Sequence, residues 1–311
     1  MTGAPRSVEA PDGAAPQEQV VGIASPTWGV IGACVGGALA KAGTKTMQDA
    51  CAAAVGGPGE LFLAVADGAS SASMGGTGAR VAVAAGIEAL GDIVRFRQRT
   101  RGVPVTCAAE WRDDAHVIMR CVRSYVLRVA RQHRARRDDL ACTLTLVYAN
   151  AFVVLVTQVG DGRCAVLWDD GVWEGVTQPQ RGEHAGETQF ITSRGWRRDA
   201  QLLESRMLLG RADAVALLTD GCERVAFECQ SFDAAHGRYA STNVPHAPFL
   251  TPNVQTLQRL LDGGDAGAPM AAARIWASFL RDGTPELPAL RDEPDDKTLL
   301  LAVRRTPAPG Q

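Results

Sequence analysis

The chain has 311 residues, 46% of them hydrophobic and 21% charged, with a net charge of −2. That composition excludes a disordered or low-complexity chain, and the near-neutral balance excludes the basic footprint of a nucleic-acid binder. A chain of this length buries a sizeable core without covalent staples, as one large domain or two ordinary ones.

Residues 1–19, rich in Ala, Pro, Gly and charge and without an apolar period, predict a disordered lead. No residue between Glu18 and Lys41 is charged, a length that spans a bilayer. Ser25, Pro26, Thr27 and five glycines within Val20–Ala40 suit a lipid-exposed helix poorly, and the basic start of a signal peptide is missing. The stretch reads as strands and turns of a soluble domain, with no membrane partner.

Strand-like runs follow at 28–35 (WGVIGACV), 61–66 (LFLAVA), 142–149, 151–159, 163–176, 214–219 and 298–303. Helix-like runs lie at 76–95, 107–133, near 254–262 and at 270–281; the second places Trp111, Ala115, Ile118, Val122, Val126 and Val129 at helical spacing. Short turns, among them Tyr148–Asn150 and Asp169–Gly171, join the strands of 142–176 and predict antiparallel pairing throughout. Helices between strand blocks, rather than after each strand, indicate an α+β fold. No linker divides the middle, so one domain is expected over 20–306 with a tail at 307–311. The eight cysteines are scattered, with no close CxxC pair, which suits a reducing, cytoplasmic setting. The arginines at 128, 131, 134, 136 and 137 read as a solvated helix face.

Carboxylates recur where apolar strands emerge: Asp49 in KTMQDACAAAV, Asp67 after LFLAVA, Asp161 after AFVVLVTQVG, Asp220 after AVALLT, and Asp295-Asp296 before TLLLAV. Singly, each Asp-Gly pair is ordinary turn chemistry. Gathered at one edge, the acids would raise each other's pKa unless a cation balanced them, and hard divalent ions with oxygen ligands do so. Five histidines without an HxxxH pair make zinc less suitable.

Taken together, QDA (48–50), VADGASSASMGGTGAR (65–80), VGDGRCAVLW (159–168), GEHAGETQFITS (182–193), LLTDG (217–221) and DDKTLLLAV (295–303) resemble the metal-dependent protein phosphatases of type 2C, most of all their bacterial branch. The resemblance runs in family order over residues 48–303. It implies a four-layer α-β-β-α sandwich of two antiparallel sheets flanked by helices, with a metal cleft at one edge. It further implies that Asp49, Asp67, Asp220 and Asp295 ligate two Mn2+ or Mg2+ ions with help from the Gly68 carbonyl, and that Asp161 serves a third alongside Asp220. The implied activity is hydrolysis of phosphoserine or phosphothreonine in a protein substrate by a metal-activated water, with no side-chain nucleophile, opposing a serine/threonine kinase.

The chain departs from the family pattern at several positions. Gln48 stands where an acid is usual, a position to hold a metal-bound water, and Asp296 stands where Asn is usual, placed to orient Asp295 or water. Thr44 replaces an Arg that many members use to grip the substrate phosphate; Lys41 or Lys45 would supply charge without the bidentate fork, and both also read as plain surface lysines. Ala69 replaces a His that some members carry, and His184 reads as a loop residue. VGGALAKAGTKT and GGTGAR lack the spacing of nucleotide-binding loops. The alternative function is a type 2C fold without turnover, serving as a phosphoprotein-binding or regulatory module; the missing Arg favours it and the full Asp set favours the enzyme.

Overall fold

The computed structural model describes residues 17–41, 43, 46–57, 59–180, 188–199, 202–233 and 238–305, the side chains of 41 and 230–241 excepted. Its elements are β1 (Glu18–Ala24), β2 (Trp28–Val35), α1 (Ala38–Lys41), β3 (Ala50–Val55), β4 (Leu61–Ala66), α2 (Gly75–Arg101), α3 (Ala108–Gln132), β5 (Leu144–Ala149), β6 (Val153–Val159), β7 (Arg163–Trp168) and β8 (Trp173–Gly175). There follow α4 (Gly195–Arg198), β9 (Glu204–Leu209), β10 (Ala212–Leu218), α5 (Glu223–Ala226), β11 (Phe227–Asp233), β12 (Arg238–Pro245), α6 (Ala247–Asp262), α7 (Ala268–Asp282), α8 (Pro288–Asp292) and β13 (Lys297–Arg304).

The strands form a six-stranded sheet in the order β1-β2-β13-β10-β7-β8, a five-stranded sheet in the order β3-β4-β5-β6-β9, and a β11-β12 ribbon, with every pair antiparallel. The period-two alternation of a strand explains why these runs are apolar throughout. In β4, Leu61, Leu63 and Val65 enter the core between the sheets, where they meet Val30, Val156 and Leu217. Phe62, Ala64 and Ala66 face the other way, into a second core with Trp111, Ile118 and Leu90 of α2 and α3. On the far side Leu299, Leu301 and Val303 of β13 pack with Leu257 and Leu261 of α6 and Trp276 and Leu280 of α7. Both faces of each sheet are thus covered, giving four layers in the order helix, sheet, sheet, helix. Each fully buried Leu or Phe contributes roughly 1.5–3 kcal/mol to this packing.

Three readings need correction. Glu18 and Gln19 already pair with Val35 and Cys34, so the first strand starts inside the stretch read as a disordered lead. The last helix before α7 begins at Ala247, ahead of Pro252, because burial of Phe249, Leu250, Val254, Leu257 and Leu261 along one face outweighs the backbone bond that the internal proline lacks. The third concerns 142–176: β5 and β6 pair, as do β7 and β8, but β6 and β7 lie in different sheets. The Gly160–Gly162 link crosses between sheets instead of closing a hairpin. It turns at Gly160, whose φ of +116° favours glycine. Among the described residues no helix is long and apolar enough to cross a membrane.

Candidate metal centre

The strand registers bring the acids to one end of the sandwich. Ala50 pairs with Ala66, which sets Asp49 beside Asp67. Leu218 pairs with both Leu299 and Arg163, which sets Asp220 near the start of β13 and near the crossing that carries Asp161. The four groups whose charge acts most on Asp67, after its own burial, are Asp49, Asp220, Asp295 and Asp161. The five acids read from the sequence therefore share one electrostatic environment.

Burial first, and these neighbours second, hold the Asp67 carboxyl well above the usual range. Burial and the charge of Asp296 push Asp49 up to about 8, against the opposing effect of two hydroxyls. Burial, with Asp161 and Asp295, pushes Asp220 up to about 7. One Asp220 oxygen, Oδ1, is buried without a hydrogen-bond partner. Asp220 and Asp295, with Gly221, Glu223, Arg224, Glu293 and Pro294, line a cleft of about 550 Å³. Among the described residues the acids do not close into a ready-made cage of three around one point. A donor set of oxygen alone, mutually repelling and open to a cleft, suits hard divalent ions that keep several waters.

Each acid is held by local structure. Asp49 Oδ2 accepts from Thr219 Oγ1 (2.8 Å) and Thr298 Oγ1 (2.6 Å). The backbone of Asp67 is clamped to Thr143, whose Oγ1 accepts the Asp67 N–H at 3.0 Å and whose N–H donates to the Asp67 carbonyl at 2.8 Å. At Gly68 any Cβ would fall 2.3 Å from the Gly75 carbonyl carbon, so the start of α2 closes against this loop only over glycine. Asp161 Oδ2 accepts from Thr188 Oγ1 at 3.0 Å. Arg163, 1% exposed, donates from Nη1 to Asn243 and from Nε and Nη2 to Glu223, so a buried ion pair underlies the Asp220 turn.

Gln48 and Asp296 are engaged in the scaffold. Asp296 accepts the Gly37 N–H on Oδ1 (3.1 Å) and the Gln48 N–H on Oδ2 (2.6 Å), and its own N–H donates to Asp295 Oδ1 at 3.0 Å. It orients Asp295 through the main chain and ties the Gln48–Asp49 segment to β13. Gln48 Nε2 donates to Ala72 O at 3.1 Å, inside the loop after Gly68, and its Oε1 is buried without a partner. Lys41 ends α1; its side chain, Thr44, Lys45 and His184 lie outside the described residues, as does 182–187 of the 182–193 segment. Sequence reading missed Thr219 and Thr298, although each stands within three residues of an acid, in LLTDG and DDKTL. Cys142 and Cys222 approach the centre; burial, with Asp67 for the first and Asp49 for the second, pushes both thiols far up.

The protein phosphatase 2C family profile matches residues 37–261, well over half of the chain. The chain belongs to the protein phosphatase 2C family. Serine/threonine-protein phosphatase 3 of Escherichia coli K12 is similar at 30% identity over 245 residues, 78% of this chain and 83% of that protein. The 2C fold is also shared with the Mycobacterium tuberculosis serine/threonine phosphatase PstP/Ppp, at a TM-score of 0.51 and 15% identity over 90% of this chain and 100% of that one. The serine-threonine phosphatase 2C of Toxoplasma gondii gives 0.55 at 13% identity, over 94% and 100%. This 2C chain is thus classed with the protein serine/threonine phosphatases, and its matched span takes in Asp49, Asp67, Asp161 and Asp220.

Proposed function

We propose that this chain hydrolyses phosphoserine or phosphothreonine in a protein substrate, with divalent ions held by Asp49, Asp67, Asp220 and Asp295. The Gly68 carbonyl assists, and Asp161 with Asp220 serves a further ion. The observation that carries the reading is the convergence of five acids, three of them held above the usual carboxylate range by burial and by one another. Cations relieve that repulsion, and when bound, Mn2+ or Mg2+ supplies activation of a water and charge neutralisation at the phosphoryl group.

The protein's own residues do the rest. Thr219 and Thr298 keep the Asp49 carboxylate aimed and favour its ionised form. Asp296 holds the first acidic segment against β13, which fixes the separation of Asp49 and Asp295. Cys142 and Cys222, with their thiols held protonated, take no part as nucleophiles. Gripping the substrate phosphate falls to Lys41 or Lys45 in the absence of the usual Arg, and the physiological counterpart is a serine/threonine kinase in the same cytoplasmic compartment.

The test is hydrolysis of p-nitrophenyl phosphate and of a phosphothreonine peptide with manganese, magnesium or EDTA in parallel. Turnover with either ion, lost in EDTA and resistant to thiol alkylation, is expected. No turnover with any divalent ion, together with phosphopeptide binding, would make the chain a phosphoprotein-binding module.

A further inference from the structure

Outside the acidic centre, α3 carries Arg112, His116, Arg120 and Arg123 at intervals of four, four and three residues, a single stripe along a helix. α4 and the residue before it add Arg197 and Arg194 beside that stripe. Asp113, His116, Val117, Arg120, Trp196 and Arg197 line a cleft of about 350 Å³. Arg112, Arg120, Arg194 and Arg197 are exposed, whereas His116 and Arg123 are half-buried.

No ion pair among the described residues joins any of these five arginines to a carboxylate. Arg123 donates from Nη2 to the Thr192 carbonyl at 3.3 Å, and its Nε is buried without a partner. The charges acting on Arg123 are those of Arg197, Arg137 and Arg194, all cationic. His116 is held below its usual value by burial, Arg120 and Arg112, with Asp113 opposing. Like charges at this spacing cost a helix stability, and the groove projects a net positive field that Asp113 offsets only in part.

One short segment ties this groove to the acidic centre. Thr188 bonds Asp161, the Ile191 N–H donates to the Cys142 carbonyl at 2.8 Å, and Thr192 receives Arg123. Thr188 and Arg194 are six residues apart, at most about 20 Å at ~3.3–3.6 Å per residue. An extended peptide with its phosphoresidue at the acidic centre reaches the groove within a similar number of residues.

We propose that the groove of His116, Arg120 and Arg197, flanked by Arg112, Arg123 and Arg194, docks an acidic or phosphorylated stretch of the protein substrate, within about six residues of the residue to be dephosphorylated. The proposal rests on the phosphatase reading above and adds a substrate class to it. A peptide with a few local negative charges suits the groove better than a nucleic acid. A continuous polyanion would run against the neighbouring cluster of five acids on a chain whose net charge is −2.

The test compares phosphothreonine peptides with Glu-rich, Ala-rich and Lys-rich flanks on the full chain with manganese, using p-nitrophenyl phosphate as the flank-free control. Binding of the same peptides is read in parallel by fluorescence anisotropy. The expected result is a kcat/KM about tenfold or more higher for the Glu-rich peptide, a preference that fades as salt rises and screens exposed charges. The double variant Arg194→Ala/Arg197→Ala, and separately Arg120→Ala, lower that value toward the Ala-rich one and leave p-nitrophenyl phosphate turnover unchanged. Equal treatment of the three peptides by the parent, or equal loss on all substrates in the variants, overturns the proposal. So does tighter binding of duplex DNA than of the Glu-rich peptide. If the parent turns over nothing, the phosphatase reading fails by itself, and the anisotropy preference for the Glu-rich peptide, lost in the variants, still decides the docking site.

Discussion

Removing metal from this chain should make it lose stability as the pH rises, with Asp49 as the clearest contributor. In the fold, burial first and the charge of Asp296 second push the Asp49 carboxyl up to about 8, against 3.8 for an ordinary aspartate. Below pH 4 both folded and unfolded chains hold the proton, so the group makes no difference. Between about 4 and 8 the unfolded chain releases that proton and the metal-free fold retains it, so stability falls with pH until the folded group ionises. A span of about four pH units at ~1.4 kcal/mol each amounts to about 6 kcal/mol, comparable with the whole stability of an ordinary domain at ~5–15 kcal/mol. Asp67 and Asp220 act in the same direction, since both are raised. The assay is urea denaturation of EDTA-treated protein from pH 5 to 8.5, for the parent and for Asp49→Asn, with and without manganese. The parent should weaken across that window, Asp49→Asn should weaken less, and saturating manganese should remove most of the difference. Metal-free stability that is flat or rising across the window, and identical in the variant, would refute the electrostatic argument.

Further expectations concern single side chains. Thr298→Val removes the 2.6 Å hydroxyl donor to Asp49, so the carboxylate protonates more readily. Manganese affinity should fall roughly 10–100-fold with the acid limb of the activity profile moved to higher pH, and Thr298→Ser should restore both; an unchanged isotherm would exclude the role. Neutralising whichever of Lys41 and Lys45 grips phosphate should cost about 1.5–3 kcal/mol, or one to two powers of ten in kcat/KM, with manganese binding unaltered. Thr44→Arg should raise efficiency; silence of all three substitutions removes the lysines from the account.

The sequence-level reading succeeded where one physical signal dominated. LFLAVA (61–66) and AVALL (214–218) are apolar at every position because both faces of each sheet are buried, and a carboxylate within two residues of the end of such a run marks the rim of the core. It failed where tertiary context decides. ESRMLL, an edge strand bonded to β6 alone, has no alternation strong enough to reveal it, and ACAAAV has little side-chain volume to pattern. The Gly160–Gly162 link has the composition of a hairpin turn, and only the packing of one sheet on the other shows that it crosses between them. The scaffold roles of Gln48, Asp296 and the two threonines rest on partners as many as 249 residues away, which no local pattern encodes. The arginines read from the sequence were those at 128, 131, 134, 136 and 137; the stripe of Arg112, His116, Arg120 and Arg123 on α3 went unread, and the second wall that makes it a groove comes from α4.

The central claim is that the acids around Asp67 bind the ions that make this chain a phosphatase. The most direct measurement is a calorimetric manganese titration of the EDTA-stripped chain near neutral pH, with phosphothreonine-peptide turnover followed in the same samples, for the parent and for Asp67→Asn. The account predicts that at least two ions bind per chain and that turnover rises in step with occupancy. Asp67→Asn, still folded, should lose the heat of binding and fall in turnover by about three powers of ten or more. Full turnover in the stripped parent, or an Asp67→Asn variant that binds manganese and turns over as the parent does, would contradict it.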